Sequence, residues 1–210
     1  MEKDKRIKKF DRQAKVYANN RSHPKIEYWR SQLIHKAHGD VLEVGVGAGA
    51  NFPYYDRINV EVTGVDFSSE MLKQAERTAR NYQVRATFLE EDIDKLKFES
   101  NTFDSIVSTL TLCTYSDPLT TLNKLNDWCR KDGTILLMEH GLSSHRILSF
   151  TQKMINPLFK SISGCHCNRD VIDLLRRSKL EIVHIERHWS DIFYVIEAKP
   201  NKNNSNIIFN

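Results

Sequence analysis

The sequence predicts a single α/β domain built on a doubly wound, mostly parallel sheet. Three observations predict it. Val41-Leu42-Glu43-Val44, apolar but for one acid, runs straight into glycines at 45, 47 and 49. A second apolar run, Val60 to Val65, ends in Asp66, about 20 residues past those glycines, where an acid accepts hydrogen bonds from a ribose. Strand-like and helix-like stretches then alternate to residue 198, as expected of parallel strands joined by helical crossovers.

Composition narrows the class. A chain of 210 residues holds one such domain with a sizeable core. The cysteines, Cys113, Cys129, Cys165 and Cys167, form no Cys-x-x-Cys pair and follow no secretory signal, so reduced thiols and a cytoplasmic location are expected. No apolar stretch approaches a membrane span. Residues 1–30 hold ten Lys/Arg against four Asp/Glu, a net +6 within a total of +4, so the rest is slightly acidic. A nucleic-acid partner is not expected, because the basic character is confined to an arm rather than spread over a face.

Each element has a local reason. Residues 1–22 are charged, with Ile7, Phe10 and Tyr17 able to share one helical face. That arm is expected to fold over the domain, as packing, as a substrate lid, or as a peripheral contact with a membrane surface. After His23-Pro24, Ile26, Trp29, Leu33, Ile34 and Ala37 recur at helical spacing and lead to Gly39. The division is therefore arm and helix over 1–38, domain over 39–199, and an Asn-rich disordered tail over 200–210. Ser68-Ser69-Glu70 caps a helix whose Met71, Ala75 and Ala79 face inward. Strands follow at 85–90 and 103–109. Asp117-Pro118 starts a helix that buries Leu122, Leu125 and Cys129. Lys131-Asp132-Gly133 reads as a turn into a strand at 134–139. Residues 145–162, with Ile147, Leu148, Phe150, Met154, Ile155, Leu158 and Phe159, read either as core packing or as the wall of an apolar substrate site. Asn168 caps a helix through Arg177, and strands at 180–188 and 192–198 close the sheet.

The chemistry centres on the glycine turn, which lets the backbone bend sharply and approach a ligand. Gly45-x-Gly47-x-x-Ala50 also fits a dinucleotide fingerprint, so a nicotinamide oxidoreductase is one reading. Glu43 argues for another, since a carboxylate two residues before the turn suits a cofactor with a cationic amino-acid portion. Glu43-x-Gly45-x-Gly47-x-Gly49 resembles the first motif of class I S-adenosylmethionine-dependent methyltransferases. The span from about 40 to 199 is similar to their small-molecule branch: quinone-biosynthesis C-methyltransferases, phospholipid N-methyltransferases and alkyl thiol S-methyltransferases. The thiol likeness rests on residues 42–45 and 50–52, Thr109-Leu110-x-Leu112-Cys113, Glu139-His140 and Gly164-Cys165. The chain departs from that family in lacking an N-terminal hydrophobic anchor and in having Lys131-Asp132-Gly133 for Pro-Gly-Gly.

The resemblance implies a seven-stranded sheet with an antiparallel last strand and S-adenosyl-L-methionine as donor. It implies that Glu43 and the glycines at 45, 47 and 49 hold the methionine portion and Asp66 the ribose hydroxyls. Asn51, Phe67 and Met71 are expected among the cofactor-binding residues. Asp92 and Ile93 would hold adenine, and Thr109 and Leu110 would run beneath the cofactor. Cys113, Tyr115, Phe150 and Met154 are expected to line the acceptor site, with His140 as the base. Three ligands in a row rarely point at one ion, so Cys165-His166-Cys167 is not read as a metal site. The expected acceptor is small or lipid-like and apolar, a thiol ahead of a phospholipid amine or quinol. A non-catalytic module that senses the cofactor or a lipid surface is the remaining alternative.

Overall fold

A computed structural model describes residues 3–19 and 23–203. Its sheet has seven strands: β1 (Gly39–Val44), β2 (Val60–Asp66), β3 (Ala86–Glu90), β4 (Phe103–Thr109), β5 (Cys129–His140), β6 (Leu180–His188) and β7 (Phe193–Pro200). Their order is β3-β2-β1-β4-β5-β7-β6. The first five pair in parallel, and β7 runs antiparallel to both β5 and β6. Among the described residues there are six α-helices, α1 (Lys3–Asn19), α2 (Pro24–Ile34), α3 (Ser69–Tyr82), α4 (Pro118–Trp128), α5 (Arg146–Ser163) and α6 (Val171–Arg177), and one short 3-10 helix, Phe52–Tyr54.

The apolar strands reflect burial on both faces. On one face Leu42, Val44, Ile106 and Leu137 pack with Leu122 and Leu125 of α4 and Leu175 of α6. On the other, Val41, Val62, Val107 and Leu136 meet Leu33 and Ile34 of α2 and Ala75 and Ala79 of α3. The caps form as the residue types predict. Ser68 Oγ accepts from Met71 N at 3.2 Å, and Asp117 Oδ1 accepts from Thr120 N at 3.0 Å ahead of Pro118. Strand order reverses between β1 and β4. Ligands of open α/β sheets bind at the carboxyl ends of the strands there.

Several expectations are corrected. Residues 131–133 belong to a continuous β5. The register jumps from Phe103↔Cys129 to Ser105↔Thr134, so the extra residues bulge out of the ladder. The α6 cap is Asp170, whose side chain accepts from Asp173 N at 2.9 Å, and not Asn168. Pro200 ends β7, and Asn201 N donates to Asn126 Oδ1 at 2.7 Å. The ordered fold thus extends into the stretch expected to be tail, of which 204–210 lie outside the described residues. The apolar segment expected as packing or pocket wall is α5, eighteen residues long with none buried.

Candidate active site

The glycine turn is tied to its neighbour strand. Gly45 N and Val46 N both donate to Val65 O, at 2.8 and 3.0 Å. Gly45 has φ +67°, and a Cβ there would come within 2.4 Å of Thr111 Cγ2. Gly47, at φ +53°, is different: its Cβ would meet nothing nearer than 4.0 Å and would project into open space. That space is a cavity of about 1360 Å³ bounded by the ends of β1, β2 and β4 and the segment after β3.

Five acidic residues line it, Glu27, Glu43, Asp66, Glu91 and Asp92, and three of them stand at strand ends. Glu43 is buried, with Asn51 Nδ2 donating to Oε1 at 2.8 Å and Tyr55 OH to Oε2 at 2.7 Å. Arg30 braces the same cluster, donating to Asn51 Oδ1 at 2.6 Å and Thr109 Oγ1 at 3.2 Å. Asp66 accepts from Gly47 N at 3.0 Å and Ser68 N at 2.9 Å. Asp92 follows β3 and faces Arg6 of α1, whose guanidinium is 3.1 Å away. Burial raises the carboxyl of Glu43 to about 7 and that of Asp66 to about 6.

These raised values predict a pH dependence. A folded-state carboxyl titrating near 6–7 binds protons that the unfolded chain has already released above about 4.5. Stability of the ligand-free protein should therefore fall as pH rises from about 4.5 to about 7. Thermal unfolding followed across that range should show Tm decreasing, with a shallower decrease for Glu43→Gln. A Tm that rises with pH in both proteins contradicts the assignment.

α1 forms the roof. Phe10 packs edge-on against Phe67 at 5.2 Å, Arg6 lies over the same ring at 4.9 Å, and Ser68 Oγ donates to Asp11 at 2.6 Å. Gln13, Val16 and Tyr17 line the cavity from above. These contacts lay α1 over the end of the sheet. The floor under the β4 end is the loop 109–115, held by Glu139. That buried carboxylate accepts from Thr111 N at 3.1 Å and from Leu112 N at 3.2 Å, and Leu110 is left-handed at φ +58°. Burial raises Glu139 to about 7 as well.

Of the sequence-predicted residues, Glu43, Gly45, Gly47, Gly49, Asp66, Phe67, Met71, Asp92, Ile93, Thr109, Leu110 and Tyr115 converge on the cavity. Asn51, Cys113 and His140 stand behind its lining rather than on it. Phe150 and Met154 are 64% and 67% exposed on α5 and do not line this cavity. Cys165 was missed. It lines the cavity with Cys113 and His140 as neighbours, and hydrogen bonds from both pull its thiol down while the Cys113 thiol is pushed up. Arg6 and Arg30 were also missed. Both carried a signal: each sits on the apolar stripe of its helix, Arg6 four residues before Phe10 and Arg30 between Ile26 and Ile34.

The lining suits a polar, partly cationic ligand. Among the described residues, Arg6 Nε, Gln13 Oε1 and Arg30 Nε are buried cavity-side groups with no hydrogen-bond partner within the protein. Such groups stay costly unless a ligand or water satisfies them.

Comparison with known proteins agrees with this geometry. Residues 42–137 match the methyltransferase domain family model. A phosphatidylethanolamine N-methyltransferase of Cereibacter sphaeroides is 29% identical over 147 residues, which cover 69% of this chain and 71% of that protein. The human thiol S-methyltransferase TMT1B is 26% identical, the match covering 70% of this chain and 62% of its own length. The chain is a class I S-adenosylmethionine-dependent methyltransferase. Its fold is shared by the geranyl diphosphate C-methyltransferase of Streptomyces coelicolor A3(2), solved with S-adenosyl-L-homocysteine, at a TM-score of 0.64 and 12% identity. That likeness covers 88% of this chain and 84% of the other. Among the described residues of this methyltransferase, no helix is long and apolar enough to cross a membrane.

Proposed function

We propose that the enzyme transfers the methyl group of S-adenosylmethionine to a small or lipid-like apolar acceptor, a thiol first and a phospholipid amine or quinol next. One observation carries this reading: the cavity has two chemically distinct flanks. On the β3-β2-β1 flank stand Glu43, Asp66 and Asp92, suited to the amino group, ribose and adenine of the donor. On the β4-β5 flank the lining carries no carboxylate, with Thr111, Thr114, Tyr115 and Cys165 set against Val16 and Tyr17. The relatives named for a thiol and for a phospholipid support acceptors of these two kinds.

The bound donor supplies an activated methyl group on a sulfonium, ready for in-line displacement. The protein's work is positioning and proton removal. Glu43, held by Asn51 and Tyr55, presents its carboxylate to the donor's ammonium, and Arg30 Nε suits the adjoining carboxylate. Asp66 accepts from the ribose hydroxyls, and α1 excludes water from above. His140 reaches the acceptor flank through Cys165, and the pair removes the acceptor's proton. A thiol, with pKa about 8.5, asks less of that base than a phenol near 10. The unpaired state of all four cysteines supports a cytoplasmic setting. The basic α1 supports peripheral contact with a membrane surface.

A methyl-transfer screen over thiols, phenols, quinols and phosphatidylethanolamine tests the acceptor. Turnover of an apolar thiol or lipid amine is expected. His140→Ala should slow a protonated acceptor by about 10²-fold, the lower bound of general base catalysis, and by less at high pH, where the acceptor ionises unaided. A rate unchanged from pH 6 to 9 removes His140 from the mechanism. Turnover of nucleic acid or protein alone sinks the acceptor assignment.

A further inference from the structure

The least expected feature is the orientation of α5. The helix is amphipathic, yet its apolar face points away from the protein. Ile147, Phe150, Met154, Leu158 and Ile162 are each between 64% and 70% exposed. Its polar side faces inward. Gln152 accepts from Ser143 N at 2.8 Å and donates to Gly141 O and Cys167 O at 3.0 and 3.1 Å. Asn156 Oδ1 accepts from Cys167 N at 3.0 Å. The helix is thus fastened by hydrogen bonds, while the face that would normally be buried is offered outward. A contiguous exposed apolar stripe of this kind marks an interaction surface.

We propose that α5 docks this enzyme onto an anionic lipid surface, its apolar stripe entering the headgroup–acyl boundary. Charge decides the occupant. α5 contains no Asp or Glu, and Arg146, Lys153 and Lys160 recur at seven-residue intervals along one edge of the stripe. The basic α1 is tied to the end of the helix, Lys9 Nζ donating to Ser161 O at 2.6 Å. Apolar side chains bordered by cations suit an interfacial helix on negative lipid. A second copy fits less well, because a two-fold pairing of the same stripe would bring the same three cations of each copy together.

Placement ties the surface to the reaction. α5 begins six residues after His140 and ends at Ser163, capped by Gly164, and the residue after that cap, Cys165, lines the cavity. A bilayer under α5 would lie beside the acceptor flank, where a lipid or lipid-dissolved thiol arrives. Docking stands on the exposed stripe and its charge border, so it does not depend on which acceptor is used.

Vesicle co-sedimentation of the full chain tests this. Binding is expected to phosphatidylcholine vesicles containing about one third phosphatidylglycerol, weakened by salt, with little to phosphatidylcholine alone. Phe150→Ser with Leu158→Ser should reduce the bound fraction by about tenfold or more while leaving S-adenosylhomocysteine binding unchanged. Should that pair lose cofactor binding, Lys153→Glu with Lys160→Glu decides, with the same loss expected. Full binding by the lipid-test variants, or no binding by the parent to either vesicle, overturns the proposal. So does a parent dimer dissolved by the serine substitutions without vesicle binding. Loss of cofactor binding by the parent overturns the donor reading and leaves docking standing.

Discussion

Replacing Glu139 by alanine should destabilise the protein by on the order of 3–4 kcal/mol. The carboxylate is buried at the end of β5 and accepts from the amides of Thr111 and Leu112 and from hydroxyls of Ser108 and Thr111. Each buried donor left unmade costs about 1–3 kcal/mol. Relief of the burial cost that raises this carboxyl to about 7 offsets part of the sum. For a domain of this size such a loss lowers Tm by roughly 6–15 °C. The loop it braces carries Leu110 in a left-handed conformation, which holds only when its surroundings enforce it. Activity should therefore fall further than stability. Glu139→Gln keeps one acceptor oxygen and should retain much of the stability. A thermal melt of Glu139→Ala that overlays the parent contradicts this role.

Gly47→Ala should weaken cofactor binding strongly and leave a folded protein. The added Cβ meets no protein atom within 4.0 Å, so packing does not resist it. Left-handed φ costs about 1–2 kcal/mol for a residue with a Cβ. The methyl group would instead take up room in the cavity that Gly47 lines together with Glu43 and Asp66. We expect affinity for S-adenosylhomocysteine to drop by about 100-fold, about 2.7 kcal/mol, with circular dichroism unchanged. Gly45→Ala is the contrasting case. Its Cβ would overlap Thr111, so that variant should lose folding as well as binding. Parent-like affinity in Gly47→Ala places the cofactor elsewhere.

The features legible in the sequence were local ones. β1 runs into its glycines because apolar residues suit a doubly covered strand and only glycine takes φ values near +60° freely. Ser68 and Asp117 announce their helices through side chains that satisfy the first free amides. Glu43 and Asp66 were found because strand ends of this fold carry the ligand contacts. What stayed hidden depends on partners distant in the chain. The periodicity of α5 shows that it has an apolar face but not where that face points. Gln152 and Asn156 turn inward because the backbone at 141, 143 and 167 needs partners. Phe150 and Met154 therefore left the expected pocket wall. Cys165 came to the cavity through a loop fastened to a segment distant in sequence, His166 N donating to Cys113 O at 3.0 Å. The bulge at 130–133 keeps β5 in register with β4 past Cys129, which turn composition alone did not reveal.

Isothermal titration of the ligand-free chain with S-adenosylhomocysteine tests the central claim most directly. The cavity beneath α1 should bind one equivalent, and Glu43→Ala and Asp66→Ala should each weaken that binding by about 1.5–3 kcal/mol, the contribution of a charge-assisted hydrogen bond. No heat with S-adenosylhomocysteine, and heat with NAD instead, would contradict the account.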